Sequence, residues 1–367
     1  MLFHLLYPLR DYFSGFNVFQ YITFRSAGAA VSALLISFMV GPFVIRLLHK
    51  HGLGEEIRSD GPESHQAKKG TPTMGGLLIL TAIILPTLLW ADLFNHYVQL
   101  ALFATCWMGF VGWLDDYLKV VKKIEKGLVA RYKLFGQITL GLIIGSIVYF
   151  SPEWESVGTR SYLPFFKGYQ IDYGVFYIPM VVFAVTWFSN AVNLTDGLDG
   201  LATGLVCIAA LAFTVMAYAT GNSIIANYLY IDYLAGSGEM TVFLSAMVGA
   251  TLGFLWFNSK PAQVIMGDTG ALALGGALGV AAILIKKEIL LVFVGSVFLM
   301  ETLSVVIQVL YFRYTKRKFG EGVRFFKMAP IHHHFELKGM DESKIVVRFW
   351  IIGILSAIIS LSTFKLR

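Results

Sequence analysis

The sequence predicts an all-α fold: a polytopic membrane helical bundle of about ten transmembrane helices, with both termini on the same side. Three observations support this prediction. Of the 367 residues, 56% are hydrophobic and 14% are charged, and the mean hydropathy is +0.68. A soluble domain has nearer a quarter charged residues, so this chain has too few charges to cover a water-facing surface. The apolar residues also form runs of about 20, and the basic residues are distributed unevenly between those runs.

Each apolar run of about 20 residues is long enough to cross the hydrocarbon core as a helix. We predict spans near residues 23–48, 73–91, 97–117, 133–150, 174–191, 199–219, 240–258, 267–286, 289–312 and 346–365. The first 22 residues contain Arg10 and Asp11 and lack the pattern of a removable signal. With no soluble domain and no repeat in the sequence, residues 1–367 are interpreted as a single integral membrane domain.

The basic residues predict the orientation of these spans. One of the two alternating sets of loops, with its span ends, contains 21 of the 29 Lys and Arg residues. Basic residues prefer the cytoplasmic side, so this set is predicted to be cytoplasmic and both termini to lie opposite. The net charge of +6 then reflects topology, and no nucleic-acid partner is predicted. The two cysteines lie in apolar runs and provide neither a disulfide framework nor metal-ligand spacing.

The polar motifs all fall on the predicted cytoplasmic side, beginning with an acidic pair. Asp115 and Asp116 close an apolar run just before Lys119. Carboxylates at a span end are costly to bury without a partner. Mg²⁺ commonly binds through one or two carboxylates together with substrate phosphates. The pair predicts a metal site, a phosphate site or a proton acceptor, and an interfacial helix cap is an equally good interpretation of the pair alone.

Two glycine-containing segments follow. The loop from Asn190 to Gly200 contains two Asn and two Asp side chains between apolar spans, which favours a polar surface loop over a simple turn. Asp268, with glycines on both sides, opens a later span. A helix start of this kind leaves backbone N–H groups where a phosphate can bind, although Asp is also a common N-cap.

Three consecutive histidines lie in the last cytoplasmic loop, which is about 30 residues long and therefore predicted to be functional. The lack of a Cys partner and their adjacent positions disfavour zinc. Imidazoles beside a phosphate fit better, as donors or acid/base groups, with a surface-only role as the alternative. Lys68 and Lys69 suit an anionic ligand, although topology alone also places lysines there. Glu301 falls in mid-span and has no assigned role.

Six strings, in this order, resemble the phospho-N-acetylmuramoyl-pentapeptide transferase family, a branch of the polyprenyl-phosphate N-acetylhexosamine-1-phosphate transferases: GTPTMGG, DDYLK, NAVNLTDGLDGLA, FLWFN, MGDTGALALGG and APIHHHFELKG. The similarity extends from about Asn17 to the last span, and the histidine string indicates the muramoyl branch. It implies a ten-helix, multi-pass enzyme of the bacterial inner membrane, with periplasmic termini and an active site on the cytoplasmic face.

The resemblance also implies a reaction. Phospho-MurNAc-pentapeptide is transferred from UDP-MurNAc-pentapeptide to undecaprenyl phosphate in the lipid bilayer, with Mg²⁺, giving lipid I and UMP. Matched by position, it implies catalytic roles for Asp115, Asp116, Asp268, His332, His333 and His334, with Asp268 as the metal ligand. The residues expected to bind substrate are Lys69, Lys133, Asn190, Asn193, Asp196, Asp199 and Asn258. A homodimer is compatible with the resemblance.

Several alternatives stay open at this point. Direct attack by the lipid phosphate, with Asp115 accepting any remaining proton, is preferred over a two-step route through an Asp116 phosphosugar intermediate. A GlcNAc-1-phosphate transferase is the alternative within the same class. A secondary transporter is disfavoured because the acids gather at one surface rather than at mid-span. A non-catalytic scaffold does not account for so many polar motifs on one side.

Overall fold

The computed structural model describes residues 1–51, 54, 70–124, 127–154, 158–166 and 169–365. Its α-helices are α1 (Leu2–Leu6), α2 (Ile22–Lys50), α3 (Gly76–Trp90), α4 (His96–Asp116), α5 (Ala130–Phe150), α6 (Tyr177–Thr195), α7 (Leu201–Thr220), α8 (Ser223–Leu229), α9 (Met240–Asn258), α10 (Gly267–Leu284), α11 (Glu288–Val294), α12 (Ser296–Phe319), α13 (Ile331–Glu336) and α14 (Glu342–Ser362). Two short antiparallel strands, β1 (Arg160–Tyr162) and β2 (Gln170–Asp172), form a hairpin.

The prediction of an all-α, multi-pass membrane bundle is confirmed, with differences in three of the spans. Within the described ranges, nine helices are long and apolar enough to cross a membrane. The tenth, α3, has only 15 residues, so it rises about 22 Å against a hydrocarbon thickness of about 30 Å. The predicted span 289–312 is divided at Gly295 into α11 and α12, and the one predicted over 267–286 ends at Leu284.

Helix α10 is the centre of the bundle. Every residue from Thr269 to Leu284 is buried, which the many Gly and Ala residues of this helix allow. The beginning of α10 lies directly against two neighbouring backbones. A methyl group added at Gly76 of α3 would lie 2.6 Å from the Cα atom of Gly270, and one at Gly112 of α4 would lie 2.6 Å from the carbonyl carbon of Asp268. Only glycine allows backbones to approach this closely.

The chain before α3 is not helical, and its backbone bonds to the segment before α10. The amide of Ile265 donates to the carbonyl of Pro72 at 2.8 Å, and the amides of Gly75 and Gly76 donate to Ile265 and Met266 at 2.9 and 2.8 Å. Non-helical backbone at membrane depth is tolerated where its polar groups are satisfied by protein in this way. The pairing holds the N-terminal ends of α3 and α10 side by side.

Both ends of the described chain lie at the end of the bundle away from Asp268. The amino group of Met1 donates to the carbonyls of Leu88 and Ala91 at the C-terminal end of α3, at 3.0 and 3.2 Å. The Phe364 ring lies 5.6 Å from the Lys287 ammonium, beyond the C-terminus of α10. The same end contains the β-hairpin and a buried ion pair in which Arg25 donates to Glu239 at 2.5 and 2.7 Å.

Candidate active site

The acidic cluster, which we define as Asp115, Asp116 and Asp268, lies where the C-terminus of α4 meets the N-terminus of α10. Two lysines complete it. Lys133 comes from the first turn of α5, and Lys119 from a π-helical turn, Tyr117–Val121, that continues α4. Turns of this type are rare and occur frequently at functional sites.

The two lysines are shared between two carboxylates. Lys119 Nζ donates to Oδ2 of Asp115 at 2.5 Å and to Oδ2 of Asp268 at 2.6 Å. Lys133 Nζ donates to the same two oxygens, at 3.0 Å each. Each ammonium therefore bridges Asp115 at the end of α4 and Asp268 at the start of α10. The two lysines and two carboxylates together form a closed network of charges. Charge-assisted hydrogen bonds of this kind are about twice as strong as neutral ones.

Asp116 has a different role in this structure, since its carboxylate caps α10. Oδ2 accepts hydrogen bonds from the amide and hydroxyl of Thr269 at 2.9 and 2.5 Å, and Oδ1 accepts one from the amide of Asp268 at 3.1 Å. A carboxylate at a helix N-terminus is favoured by the partial positive charge there. The amides of Asp268 and Thr269, predicted as a phosphate-binding feature, are therefore already occupied by Asp116.

The side chains of this cluster differ in their access to solvent. The Lys119, Lys133 and Asp268 side chains are 35%, 18% and 13% exposed, whereas the Asp115 side chain is 1% exposed. Asp115 also accepts a hydrogen bond from the amide of Leu128 at 2.6 Å. The groups at the mouth of the site are thus the two ammoniums and Asp268, with Asp115 and Asp116 behind them.

Two asparagines of α6 lie beside this cluster. Asn193 donates from its amide nitrogen to Oδ1 of Asp268, the oxygen that the lysines leave free. One turn earlier, Asn190 donates to Gln137 of α5 at 2.9 Å and to the carbonyl of Thr186 at 2.8 Å. The structure therefore brings Asn193 into direct contact with the acidic cluster, and it places Asn190 between α6 and α5.

The other predicted binding residues lie around the loop between α6 and α7. Asn258 is buried, accepts hydrogen bonds from the Gly200 amide and the Thr203 hydroxyl at 3.1 and 2.8 Å, and donates to the Val264 carbonyl at 3.0 Å. Asp199 accepts from the amide of Ala262 at 3.0 Å. Asp196 is half-buried at the end of α6. These contacts hold the loop, and substrate binding by the three residues stays a prediction.

The histidine segment forms the short helix α13 rather than an extended loop. His332 is completely buried. His333 Nδ1 lies 3.2 Å from Glu336 Oε2, and His334 Nδ1 accepts a hydrogen bond from the Lys327 amide at 3.1 Å. Partial burial, and then the charges of Lys338 and Lys327, lower the pKa of His334 below its usual value. The three imidazoles therefore have three different environments, as expected for consecutive residues of a helix.

Lys119 is a site residue that was not predicted from the sequence, and Lys69 falls outside the residues that the structure describes. The signal for Lys119 was present, because it follows Asp115 by four residues and such pairs share a helix face. Thr269 and Gln137 were also missed. Neither residue type is distinctive in a sequence, and only the packing of α10 and α5 assigns them a contact.

The site has the chemistry of a phosphate-binding and cation-binding centre. Two partly exposed ammoniums can accept the oxygens of an anionic substrate. In the described residues no group of three or more His, Cys, Asp or Glu side chains forms a metal cage. Asp268 is nevertheless a carboxylate at the mouth of the site, and Mg²⁺ is commonly held by one or two carboxylates plus substrate phosphates. The donor set therefore fits Mg²⁺ bound jointly with a phosphate.

Comparison with known proteins agrees with this chemistry. The family model described as glycosyl transferase family 4 matches residues 98–286, and the phospho-N-acetylmuramoyl-pentapeptide-transferase signature 1 matches residues 68–80. Proteins named phospho-N-acetylmuramoyl-pentapeptide-transferase from Citrifermentans bemidjiense, Thermodesulfovibrio yellowstonii and Chlorobium chlorochromatii are 53%, 50% and 51% identical to this chain, each over the whole of both sequences. The chain therefore belongs to the family of phospho-N-acetylmuramoyl-pentapeptide transferases.

Proposed function

We propose that this protein transfers phospho-MurNAc-pentapeptide from UDP-MurNAc-pentapeptide to undecaprenyl phosphate, giving lipid I and UMP, with Mg²⁺ as the cofactor. The observation that carries the proposal is the network in which Lys119 and Lys133 are shared between Asp115 and Asp268. It is supported by full-length identity of about half to relatives that bear the name of this activity.

The reaction brings two anionic phosphates together, so its barrier is largely electrostatic. Lys119 and Lys133 are placed to offset that repulsion, because their ammoniums are already aligned on oxygen acceptors and are partly exposed. Asn193 and the lysines fix the Asp268 carboxylate from both of its oxygens. The Asp268 carboxylate is therefore held in a fixed position before the substrate phosphates bind.

Asp268 would hold the Mg²⁺, together with the substrate phosphates. The bound ion would act as a Lewis acid and neutralise charge on the phosphoryl oxygens. Within the protein, the lysine stems are long enough to turn their ammoniums from Asp268 toward the phosphates. The carboxylate would then be released for the metal without any movement of helix α10.

Direct attack by the lipid phosphate is the mechanism that this geometry favours. The alternative route needs an Asp116 oxygen as the nucleophile. Both Asp116 oxygens accept hydrogen bonds from the start of α10, and the residue is buried behind Asp268. Hydrogen bonds to both oxygens lower the nucleophilicity of the carboxylate, and its burial restricts the approach of a phosphate. Asp115 accepts hydrogen bonds from both lysines and from the Leu128 amide, and its negative charge orients the two ammoniums.

The proposed location is the bacterial inner membrane, with the site opening to the cytoplasm. Among the residues that the structure describes, most of the Lys and Arg residues lie toward the end of the bundle that contains the acidic cluster, and such residues prefer the cytoplasmic side. A nucleotide sugar is highly charged and cannot cross the bilayer, so it must be bound from the compartment in which it is made. The lipid substrate reaches the same end from within the membrane.

Reconstitution tests the proposed reaction. Purified protein with Mg²⁺ and undecaprenyl phosphate should release UMP from UDP-MurNAc-pentapeptide and should be much less active with UDP-GlcNAc. The measurement is UMP release, with lipid I identified by mass spectrometry. Release with UDP-GlcNAc alone would assign the protein to the N-acetylglucosamine branch, and release with neither sugar would contradict the proposal. Omission of Mg²⁺ in the presence of a chelator should stop the reaction.

Replacing Lys119 tests the role of the shared network. Lys119→Met removes one of the two ammoniums that face the substrate, and we expect kcat/KM to fall about 100-fold, as for loss of one electrostatic donor. Steady-state UMP release measures this. Lys122→Met is the matched control, since Lys122 is exposed in the same segment and should tolerate the change. Equal activities of the two variants would show that the Lys119 ammonium has no role in the reaction.

A further inference from the structure

A buried acid–base pair lies outside the acidic cluster and connects α12 with α13. Glu301 faces inward from α12, in line with the buried residues Val297 and Ser304. His332 is the second residue of α13. Both side chains are 0% exposed, and His332 Nδ1 lies 3.1 Å from Glu301 Oε2. The two atoms are within ion-pair distance, although they are not aligned as a straight hydrogen bond.

Neither partner has another hydrogen bond from its side chain in the part of the chain that the structure describes. A carboxyl group within a membrane-spanning helix is costly to bury and is normally paired. A proton held on Nδ1 and donated to the carboxyl oxygen gives each side chain one hydrogen-bond partner. This contact fixes which edge of the imidazole ring faces α12.

The opposite edge of the ring faces the loop between α6 and α7. A methyl group at Gly197 would lie 3.0 Å from His332 Cε1 and closer still to Nε2, so the ring lies directly against this backbone. Asn193, four residues earlier, donates to Asp268 of the acidic cluster. A single segment, from Asn193 to Gly197, therefore contacts both Asp268 and His332.

We propose that Glu301 is a positioning residue of the active site, which acts through His332 to hold α13 against the loop between α6 and α7. His332 transmits this effect from inside the protein, while His333 and His334 lie nearer the surface of the same helix. The inference rests on the proposed function, because its main readout is turnover. Carboxylates also orient histidines that bind metals or act in catalysis, by accepting a hydrogen bond from the second ring nitrogen.

A double-mutant cycle on kcat tests the proposal. Glu301→Leu and His332→Leu should each lower kcat about 10- to 100-fold, in the range seen when an orienting partner is removed, with KM for UDP-MurNAc-pentapeptide changed less than threefold. The double variant should be no slower than His332→Leu alone, because Glu301 acts only through the histidine. Glu301→Gln, which keeps an acceptor oxygen, should recover part of the lost activity.

Glu288→Leu is the matched control. Glu288 is also a buried carboxyl group, at the other end of the bundle, where it accepts a hydrogen bond from Ser161. Both leucine variants should lower the melting temperature, but only Glu301→Leu should lower kcat. Wild-type turnover of Glu301→Leu, or losses that multiply in the double variant, would overturn the proposal. If the leucine variants do not fold, the cycle is repeated with Glu301→Gln and His332→Gln. The double variant should again be no slower than the histidine variant alone, and losses that multiply would overturn the proposal.

One further measurement separates this inference from the proposed function. Nitrogen-15 NMR of labelled histidine, assigned with His332→Gln, should show the His332 proton on Nδ1 in the wild-type protein and its loss from Nδ1 in Glu301→Leu. This result does not depend on any substrate. An inactive wild-type protein with the expected spectrum would contradict the proposed function alone, and an unchanged spectrum in Glu301→Leu would contradict the pairing.

Discussion

Asp268→Asn should lower kcat by roughly 10²- to 10³-fold or more, and it should weaken the dependence of the remaining rate on Mg²⁺. The substitution keeps the shape of the side chain but removes the charge shared by Lys119, Lys133 and Asn193. Both ammoniums would then face each other with Asp115 as their single carboxylate partner. UMP release measured across a Mg²⁺ titration gives both quantities.

The control for this change is a carboxyl group at the other end of the bundle. Asp172 in β2 is 58% exposed and lies beside Arg160, so Asp172→Asn should keep full activity. Size-exclusion chromatography and the melting temperature establish that Asp268→Asn is folded. A folded and fully active Asp268→Asn protein would remove Asp268 from the metal site.

Gly112→Ala should damage both stability and turnover, although alanine is the better helix former by about 1 kcal/mol. Its methyl group would overlap the carbonyl group of Asp268, which is backbone and cannot rotate away. Helices α4 and α10 must therefore separate, at a cost of about 1–3 kcal/mol for overpacking. The same shift moves Asp115 away from Asp268, and a displacement of about 1 Å at a reacting centre can lower the rate about 100-fold.

Gly109→Ala provides the comparison, one turn earlier on the same helix. Its methyl group would lie 2.8 Å from Leu80 Cδ1, the end of a side chain that can rotate. We expect near-normal kcat and melting temperature for Gly109→Ala and losses in both for Gly112→Ala. Equal behaviour of the two variants would mean that the contact between α4 and α10 does not determine the geometry of the site.

The helical architecture could be predicted from the sequence because each span is a local property. About 20 consecutive apolar residues define a crossing without knowledge of its neighbours. The length of α3 and the break at Gly295 could not be predicted in this way. The length of α3 depends on non-helical backbone that is satisfied by distant residues, as Pro72 and Gly75 are by Ile265. At Gly295 a methyl group would lie 2.6 Å from the Phe188 ring of α6, so this break depends on the packing of another helix.

For the candidate site, too, the residues could be predicted from the sequence but their contacts could not. The carboxylates, Asn193 and Lys133 were predicted by position, through the resemblance to a family, and the structure brings Asp115, Asp268, Asn193 and Lys133 together. Their contacts were not predictable from the sequence. Nothing local indicates that the Asp116 carboxylate caps a helix 150 residues away, or that Glu301 in mid-span faces a histidine from another helix. Such pairs are created by packing alone.

The short helix α3 has a consequence for how the two substrates meet. With a rise of about 22 Å, α3 does not cross the hydrocarbon core alone, and the non-helical residues before it, whose backbone bonds to the segment before α10, would complete the crossing. Its first residue, Gly76, lies against Gly270, two residues after Asp268, so this non-helical segment adjoins the acidic cluster. We expect the phosphate of a membrane-embedded prenyl carrier to meet Lys119 and Lys133 beside this segment while its chain stays dissolved in lipid.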